Sequence, residues 1–379
     1  MASAQSQRAP RAHRRTDRLE PWRDWAALVV WNHGILLIAA LTRPSWPWLL
    51  LLSLPLGLGL ATATLTVLHD AGHKQFSQRS WPNVFATQTA APVGLWADYW
   101  GLKHRVHHKA TAVYPLDAAT HSSGMVRFHP AAAVWKVHRY QQYYAWVLYG
   151  LAWAGELRSQ VTYVRTGDIS GTEAPPFRAR LGSFLLEKAI CLVLLTPYAL
   201  LLGIGHLAVL IVASLTVASV LAAIVLVVGH INTGLVPTTV APTGASWSTH
   251  LLHTTASFSM SSLPMRWITG GMTHHVAHHL RPVAPRSALQ GIQDTVVRDL
   301  VQRSGVPSVE FPTLTAAVVG HYRRLKALGQ QEAPVPVGSD AVTELVGMPA
   351  EAGLVTGVFA GVPVPAGRGA AVPAGFSAP

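Results

Sequence analysis

Long apolar runs alternate with long polar stretches along this chain, and the runs come in two close pairs. The first pair covers about 25–41 and 46–68, joined through Thr42 to Ser45. The second covers about 184–203 and 207–229, joined by an equally tight turn around Ile204 to His206. A bilayer core takes about 20 helical residues to cross, so the pattern predicts four transmembrane helices in two hairpins. The runs 46–68 and 207–229 carry no charge, whereas 25–41 holds Asn32 and His33, and 184–203 has Glu187 and Lys188 in its first turn. Pro55 and Pro197 are compatible with membrane helices, where neighbours satisfy a freed carbonyl. Two shorter stretches, 84–96 and 143–153, are rich in aromatics or alanine and read as helices lying flat in the interface.

Composition supports the membrane reading. Half of the 379 residues are hydrophobic and 12% are charged, against about 25% charged in a soluble domain. The formal charge of +12 is concentrated in Arg8, Arg11, Arg14, Arg15, Arg18 and Arg23, ahead of the first run. Such a tail beside a membrane span is a positive-inside signal rather than a nucleic-acid-binding arm, which places the N-terminus and every long polar stretch in the cytoplasm. No small-residue cleavage site follows a short apolar core, so a cleaved signal peptide is not expected. Cys191 is the one cysteine; it excludes an intramolecular disulfide and a thiolate-only metal site, and reads as a small buried hydrophobe.

The expected organisation is therefore a basic cytoplasmic tail (1–24), a membrane domain (25–329) with a helical cytoplasmic cap (69–183 and 230–329), and a disordered tail rich in Pro, Gly and Ala (330–379). The cap carries three histidine clusters: His69 and His73 around Asp70-Ala71-Gly72, His104 with His107 and His108, and His275 with His278 and His279. Residues three or four apart share a helical face, so each cluster aims two or three imidazoles at one point. One zinc ion would leave most of the eight nitrogens unused, because zinc takes four ligands or three plus water. Two metals, each with an open position, would use them. Spacing alone does not choose among iron, zinc, copper and nickel, nor between His274 and His275, since His274 and His278 also stand four apart.

These motifs resemble those of the membrane fatty acid desaturases of the acyl-lipid type, within the histidine-box di-iron desaturases and hydroxylases. The family's first box matches at His69 and His73, its second at His104, His107 and His108. Its third, Gly-Gly followed by a His-x-x-His-His-Leu-x-Pro run, matches at Gly270, Gly271, His275, His278, His279, Leu280 and Pro282, and favours His275 as ligand over His274. A further stretch matches at Trp247 and at Thr254, Thr255, Ala256 and Phe258. The match runs from the second span to about Pro282. Departures are Thr111-Ala112 where Thr-Asn is common, Ser257 where Asn is usual, and Asp117 alone of an acidic pair.

The resemblance implies an all-α integral membrane enzyme with two iron ions and dioxygen as co-substrate. Its substrate would be an acyl lipid, acyl-CoA or acyl carrier protein, and its electron donor a separate ferredoxin-type protein. His129-Pro130 is followed by alanines rather than by the Gly-Gly of a fused cytochrome domain. Related desaturases use a histidine near His230 as an extra ligand, so His230 is a ninth candidate. Asp70, Asp117 and His274 are expected to support ligating imidazoles through hydrogen bonds, and His250 and His253 are weaker candidates for that role. His13, His33, His121, His129, His138, His206 and His321 read as non-ligand histidines. The nearest alternative keeps the same site in a lipid or carotenoid hydroxylase or ketolase. A metal transporter would hold its ligands near the midplane of spans, and haem needs only two axial ligands; the boxes fit neither.

Overall fold

The computed structural model describes residues 19–117, 124–169, 172–242 and 246–331. The arginine-rich tail up to residue 18, His121 and the Pro/Gly/Ala-rich segment from 332 onward lie outside the described residues. The first hairpin is α1 (Glu20–Thr42) with α2 (Trp46–Gly72). Two short helices follow, α3 (Ser80–Ala90) and α4 (Ala97–Lys109), then α5 (Gln141–Gly150) and α6 (Ala152–Thr166). The second hairpin is α7 (Phe177–Leu202) with α8 (Ile204–His230). Beyond it come α9 (Ser246–Thr254), β1 (Ala256–Phe258), α10 (Leu263–Ile268), α11 (His275–Leu280), α12 (289–304), β2 (Val309–Phe311) and α13 (Leu314–Gly329). β1 and β2 pair in parallel, Ser257 opposite Glu310.

The four expected spans are present, and each is longer than its apolar run. α1 gains a turn at its start because the cap takes up its charges: Arg286 pairs with Glu20 at 3.3 Å and with Asp24 at 2.5 Å. α7 begins at Phe177, which places Glu187 and Lys188 nearly three turns inside the helix rather than in its first turn. The expected turn at 204–206 shrinks to Gly203, whose φ of 89° suits a residue without Cβ. A π turn at Thr64–Leu68 widens α2 just before His69. The Thr64 and Thr66 hydroxyls bond back to Leu60 O at 2.9 Å and Thr62 O at 2.6 Å there, a competition with the helical ladder.

Apolar side chains such as Leu37, Leu50, Leu54, Leu192 and Leu200 are exposed on the outside of the bundle, the surface a bilayer covers. Inside it, small residues let helices approach, as membrane packing requires. A Cβ on Gly57 would sit 2.5 Å from the Val217 side chain of α8, and one on Gly59 would sit 2.1 Å from Asn32 Oδ1 of α1.

The stretch 84–96 does not lie flat. The C-terminal carbonyls of α3 are met by polar side chains half-way along α1: Asn32 Nδ2 donates to Ala90 O at 2.7 Å, and His33 Nε2 lies 2.9 Å from Thr89 O. From the other side Cys191 Sγ donates to Pro92 O at 3.3 Å. α3 therefore descends between α1 and α7, turns at 91–96 and returns as α4. Irregular backbone is tolerated at that depth only where protein satisfies it, which explains why α1 carries Asn32 and His33. The junction of α5 and α6 also reaches inward, since a Cβ on Gly150 would lie 3.2 Å from the Thr216 methyl of α8.

Candidate metal centre

Two short helices and the ends of two spans bring the boxes together. His69 and His73 extend α2, His104, His107 and His108 lie on α4, and His275, His278 and His279 lie on α11. His230 is the last residue of α8. Close helix crossing makes this possible. A Cβ on Gly72, within the first box, would be 2.6 Å from Trp100, just ahead of the second. Trp100 in turn stacks on His104 at 4.4 Å.

The imidazoles form two adjacent groups. His69, His73, His104, His108 and His278 aim one nitrogen each into the first; His107, His230 and His279 form the second. Within each group these nitrogens all lie within 4.8 Å of one another. Adjacent histidines go to different groups, His108 and His278 to one, His107 and His279 to the other. Successive residues on a helix point about 100° apart, so the His-His pair of a box serves two centres at once, whose rings meet where His108 and His279 lie 4.4 Å apart. His275 is in neither set. Its ring stands 4.5 Å from His230 and 4.9 Å from His279, at the edge of the second group.

In the first group Nε2 atoms are 3.1 Å apart for His69 and His278, and 3.0 Å apart for His73 with His104, His104 with His108, and His108 with His278. Two nitrogens held at about 2.1 Å on one metal lie about 3.0 Å apart at right angles, and about 3.4 Å apart at the tetrahedral angle. The separations match the first case.

The second group decides its own tautomers. His107 Nδ1 lies 2.9 and 3.0 Å from the two oxygens of Asp117, so it carries the proton. His230 Nδ1 donates to Thr254 O at 3.1 Å. The Thr111 hydroxyl is committed as donor to His107 O at 2.9 Å, so at 3.3 Å from His279 Nδ1 it can only accept. All three Nε2 atoms therefore turn lone pairs toward one another, with His279 and His230 at 3.2 Å. Facing lone pairs repel unless a cation lies between them. This donor set fits a metal ion, and ligating histidines characteristically donate their other nitrogen in this way. Burial pushes His104, His108, His275, His278 and His279 well below the ordinary imidazole range, so they are neutral, as ligands must be.

The remaining candidates divide. Asp117 meets His107 and also accepts from Ala112 N at 2.7 Å. Asp70 stands 3.6 Å from His69 Nδ1, beyond a hydrogen bond. His274 turns away: its hydrogen bonds go to Thr273 Oγ1 and Gln290 Oε1, both at 2.9 Å, rather than to a box histidine. His250 reaches Thr111 O at 2.7 Å and so braces the loop whose Thr111 meets His279, whereas His253 Nε2 is buried without a hydrogen bond among the described residues. Described histidines read as non-ligands find other partners, among them His321 with Tyr149 OH at 2.7 Å and Ile231 O at 2.6 Å. Sequence reasoning did not assign Thr111 or the carbonyl of Thr254; Thr111 stands three residues after the second box and Thr254 opens the Thr-Thr-Ala stretch, but neither side chain nor carbonyl announces a partner.

The sequence model of the fatty acid desaturase family matches residues 44–312. The chain is 28% identical over 271 residues to an sn-1 linoleoyl-lipid 6-desaturase of Synechocystis sp., covering 69% of this chain and 75% of that protein. It is 22% identical over 271 residues to an sn-1 linoleoyl-lipid 6-desaturase of Arthrospira platensis, covering 69% of this chain and 73% of that one. Both the family and these relatives favour desaturation over the hydroxylase or ketolase alternative. A multi-pass helical bundle with a histidine-rich site suited to metal, matched along most of its length, makes this chain an oxidoreductase that belongs to the fatty acid desaturase family.

Proposed function

We propose that the chain is an oxygen-dependent di-iron desaturase acting on an acyl chain carried by a membrane lipid. His69, His73, His104, His108 and His278 would hold one iron, and His107, His230 and His279 the other, with His275 beside the second. The observation that carries this reading is the convergence of three Nε2 lone pairs, fixed by Asp117, Thr254 and Thr111. When bound, the irons supply one-electron chemistry with dioxygen, so that two hydrogens leave neighbouring methylenes and, with two further electrons and protons, end in two waters. Zinc cannot supply this. The chain's own contribution is to hold neutral imidazoles in register at the ends of its spans and to keep the acyl chain in an apolar, water-poor setting.

The lipid-linked substrate is supported by the names of the two relatives, which act on a linoleoyl lipid. The domain organisation follows the same reading, with a membrane domain over 25–329 between a basic tail and a tail rich in Pro, Gly and Ala. Both hairpins return to the side bearing the histidines, and the arginine-rich tail supports placing that side in the cytoplasm. A separate acidic carrier of the ferredoxin class would deliver electrons to it, drawn by net positive charge.

Metal analysis of the purified chain and mass spectrometry of lipids from an expressing host test the proposal together. The expected result is about two irons per chain and acyl chains lighter by two hydrogens. Zinc in place of iron, or oxygenated lipid or carotenoid as the product, would overturn it.

A further inference from the structure

One face of α7 is polar through the middle of a membrane span, and nothing in the chemistry above uses it. Ser183, Glu187 and Cys191 follow one another four residues apart, which stacks them along a single face. Each reaches the segment that turns α3 back into α4. Trp96 Nε1 donates to Ser183 Oγ at 3.0 Å, and Ser183 Oγ donates to Asp98 Oδ2 at 3.1 Å. Cys191 holds Pro92 O at 3.3 Å. Lys188, one residue off the face, donates to Gly94 O and, at 2.8 Å, to Gln160 Oε1.

Glu187 is the centre of this ladder and is 1% exposed. Its Oε2 accepts from Gln88 Nε2 of α3 at 2.6 Å and from Ala97 N at 3.0 Å. Ala97 is the first residue of α4, whose Ncap residue, Trp96, offers no side-chain cap. The carboxylate from α7 thus takes over the capping task, satisfying an orphan N–H and facing the positive end of the helix dipole. A membrane-embedded acid is costly unless it has such work. Ala97 precedes His104 by seven residues, two turns along the same face. A shift or rotation at Ala97 is therefore carried into His104, His107 and His108, which feed both histidine groups.

We propose that Glu187 is a positioning residue for the desaturase, a cap supplied in trans by a membrane span that fixes the depth and rotation of the second-box helix. The proposal rests on the metal reading of the boxes. It does not require Glu187 to touch metal or substrate.

The test uses full-length chain in membranes and in detergent, with cobalt(II) as the probe, followed by its visible absorption. Glu187→Leu removes the acceptor. Glu187→Gln keeps it. Ala97→Pro deletes only the capped N–H, at the first helical position where proline is well accepted and after a residue, Trp96, already extended (φ −103°, ψ 97°). Cobalt affinity is expected to fall about 10-fold in Glu187→Leu and in Ala97→Pro, the lower end of what loss of an outer partner does to a metal site. The cobalt bands should shift in both, and Glu187→Gln should restore affinity and spectrum. Turnover is expected to drop with metal affinity while KM for the acyl lipid stays constant.

Unchanged cobalt affinity and spectrum in Glu187→Leu would overturn the proposal, as would a Glu187→Gln variant as impaired as the leucine. If Glu187→Leu does not accumulate, Ala97→Pro decides alone, by the same readings. Wild-type chain that binds no metal would overturn the boxes' metal reading and this proposal together. Normal wild-type binding with unaffected variants would overturn only this one.

Discussion

The two histidine groups are built on different principles. The group of His107, His230 and His279 has few donors, all buried, and each is oriented by a hydrogen bond at its other nitrogen. The group of His69, His73, His104, His108 and His278 has five donors, three of them half-buried. There His108 Nδ1 and His69 Nδ1 have no hydrogen-bond partner among the described residues. One centre relies on orientation, the other on number. A donor lost from the oriented group should cost its metal; a donor lost from the crowded group should leave enough behind.

Replacing one histidine in each group is the most severe way to break that comparison. His279→Ala should lose product, because catalysis needs both centres, whereas His73→Ala, in the five-donor group, should keep part of it. Their metal contents should differ. His279→Ala is expected to retain about one metal per chain and His73→Ala closer to two, with two-metal chemistry as the reference. Elemental analysis of protein recovered from membranes checks this, and equal losses would erase the distinction.

Orientation can be attacked without touching a ligand. Asp117→Asn leaves a side chain of the same shape beside His107 but removes the charge and can turn an N–H toward Nδ1. Loss of such an outer partner costs roughly 10–100-fold in metal affinity or activity, and that range is expected here, with normal accumulation in the membrane. A cobalt titration and a lipid product assay measure it. A fall of less than about threefold, well under that range, would show that Asp117 serves the loop through Ala112 rather than His107.

The sequence made much of this legible and hid a definite remainder. Apolar runs located all four spans because a bilayer enforces length and composition, and box spacing located the imidazoles because a helix repeats every 3.6 residues. Which histidines share a centre was not readable, since it depends on how α2, α4 and α11 cross. The wedge formed by α3 and its return was also missed. The stretch 84–96 is short and aromatic, as an interfacial helix would be, and the partners of Asn32, His33 and Cys191 reveal its depth. Glu187 looked like a span-end charge for the same reason, whereas Cys191 is buried as its apolar run implies and in addition donates to Pro92 O. Local pattern records how polar a segment is, whereas the structure supplies what satisfies it.

A gentler change refines the ranking within the oriented group. The contact of Thr111 Oγ1 with His279 Nδ1 is long, 3.3 Å, against 2.9 Å for Asp117 with His107. Neutral hydrogen bonds contribute about 1 kcal/mol, or about a fivefold effect, and those to charged groups more. Thr111→Val keeps the branched shape and deletes the hydroxyl. Cobalt affinity should fall about fivefold, less than for Asp117→Asn. A larger loss for the threonine would reverse the order of support in this centre.

The smallest expected effect on the metal itself, that of His274→Ala, tests the choice between neighbours in the third box. His274 and His275 are both buried, and either could pair with His278 on spacing alone. His275 stands against the oriented group, its Nδ1 so close to Gly229 that a Cβ there would be 2.1 Å away. His274 instead bridges Thr273 to Gln290 on α12, and burial lowers its pKa while the Gln290 contact opposes the shift. His274→Ala should therefore cost stability, about 1–2 kcal/mol for the buried hydrogen bonds lost, with turnover per folded chain and metal content unchanged. His275→Ala should show the reverse: a chain that accumulates normally but turns over poorly and shows altered cobalt bands. Thermal unfolding in detergent and elemental analysis separate the two. A His274 variant that folds fully yet loses metal would move the boundary of the site by one residue, and with it the pairing that box spacing left open.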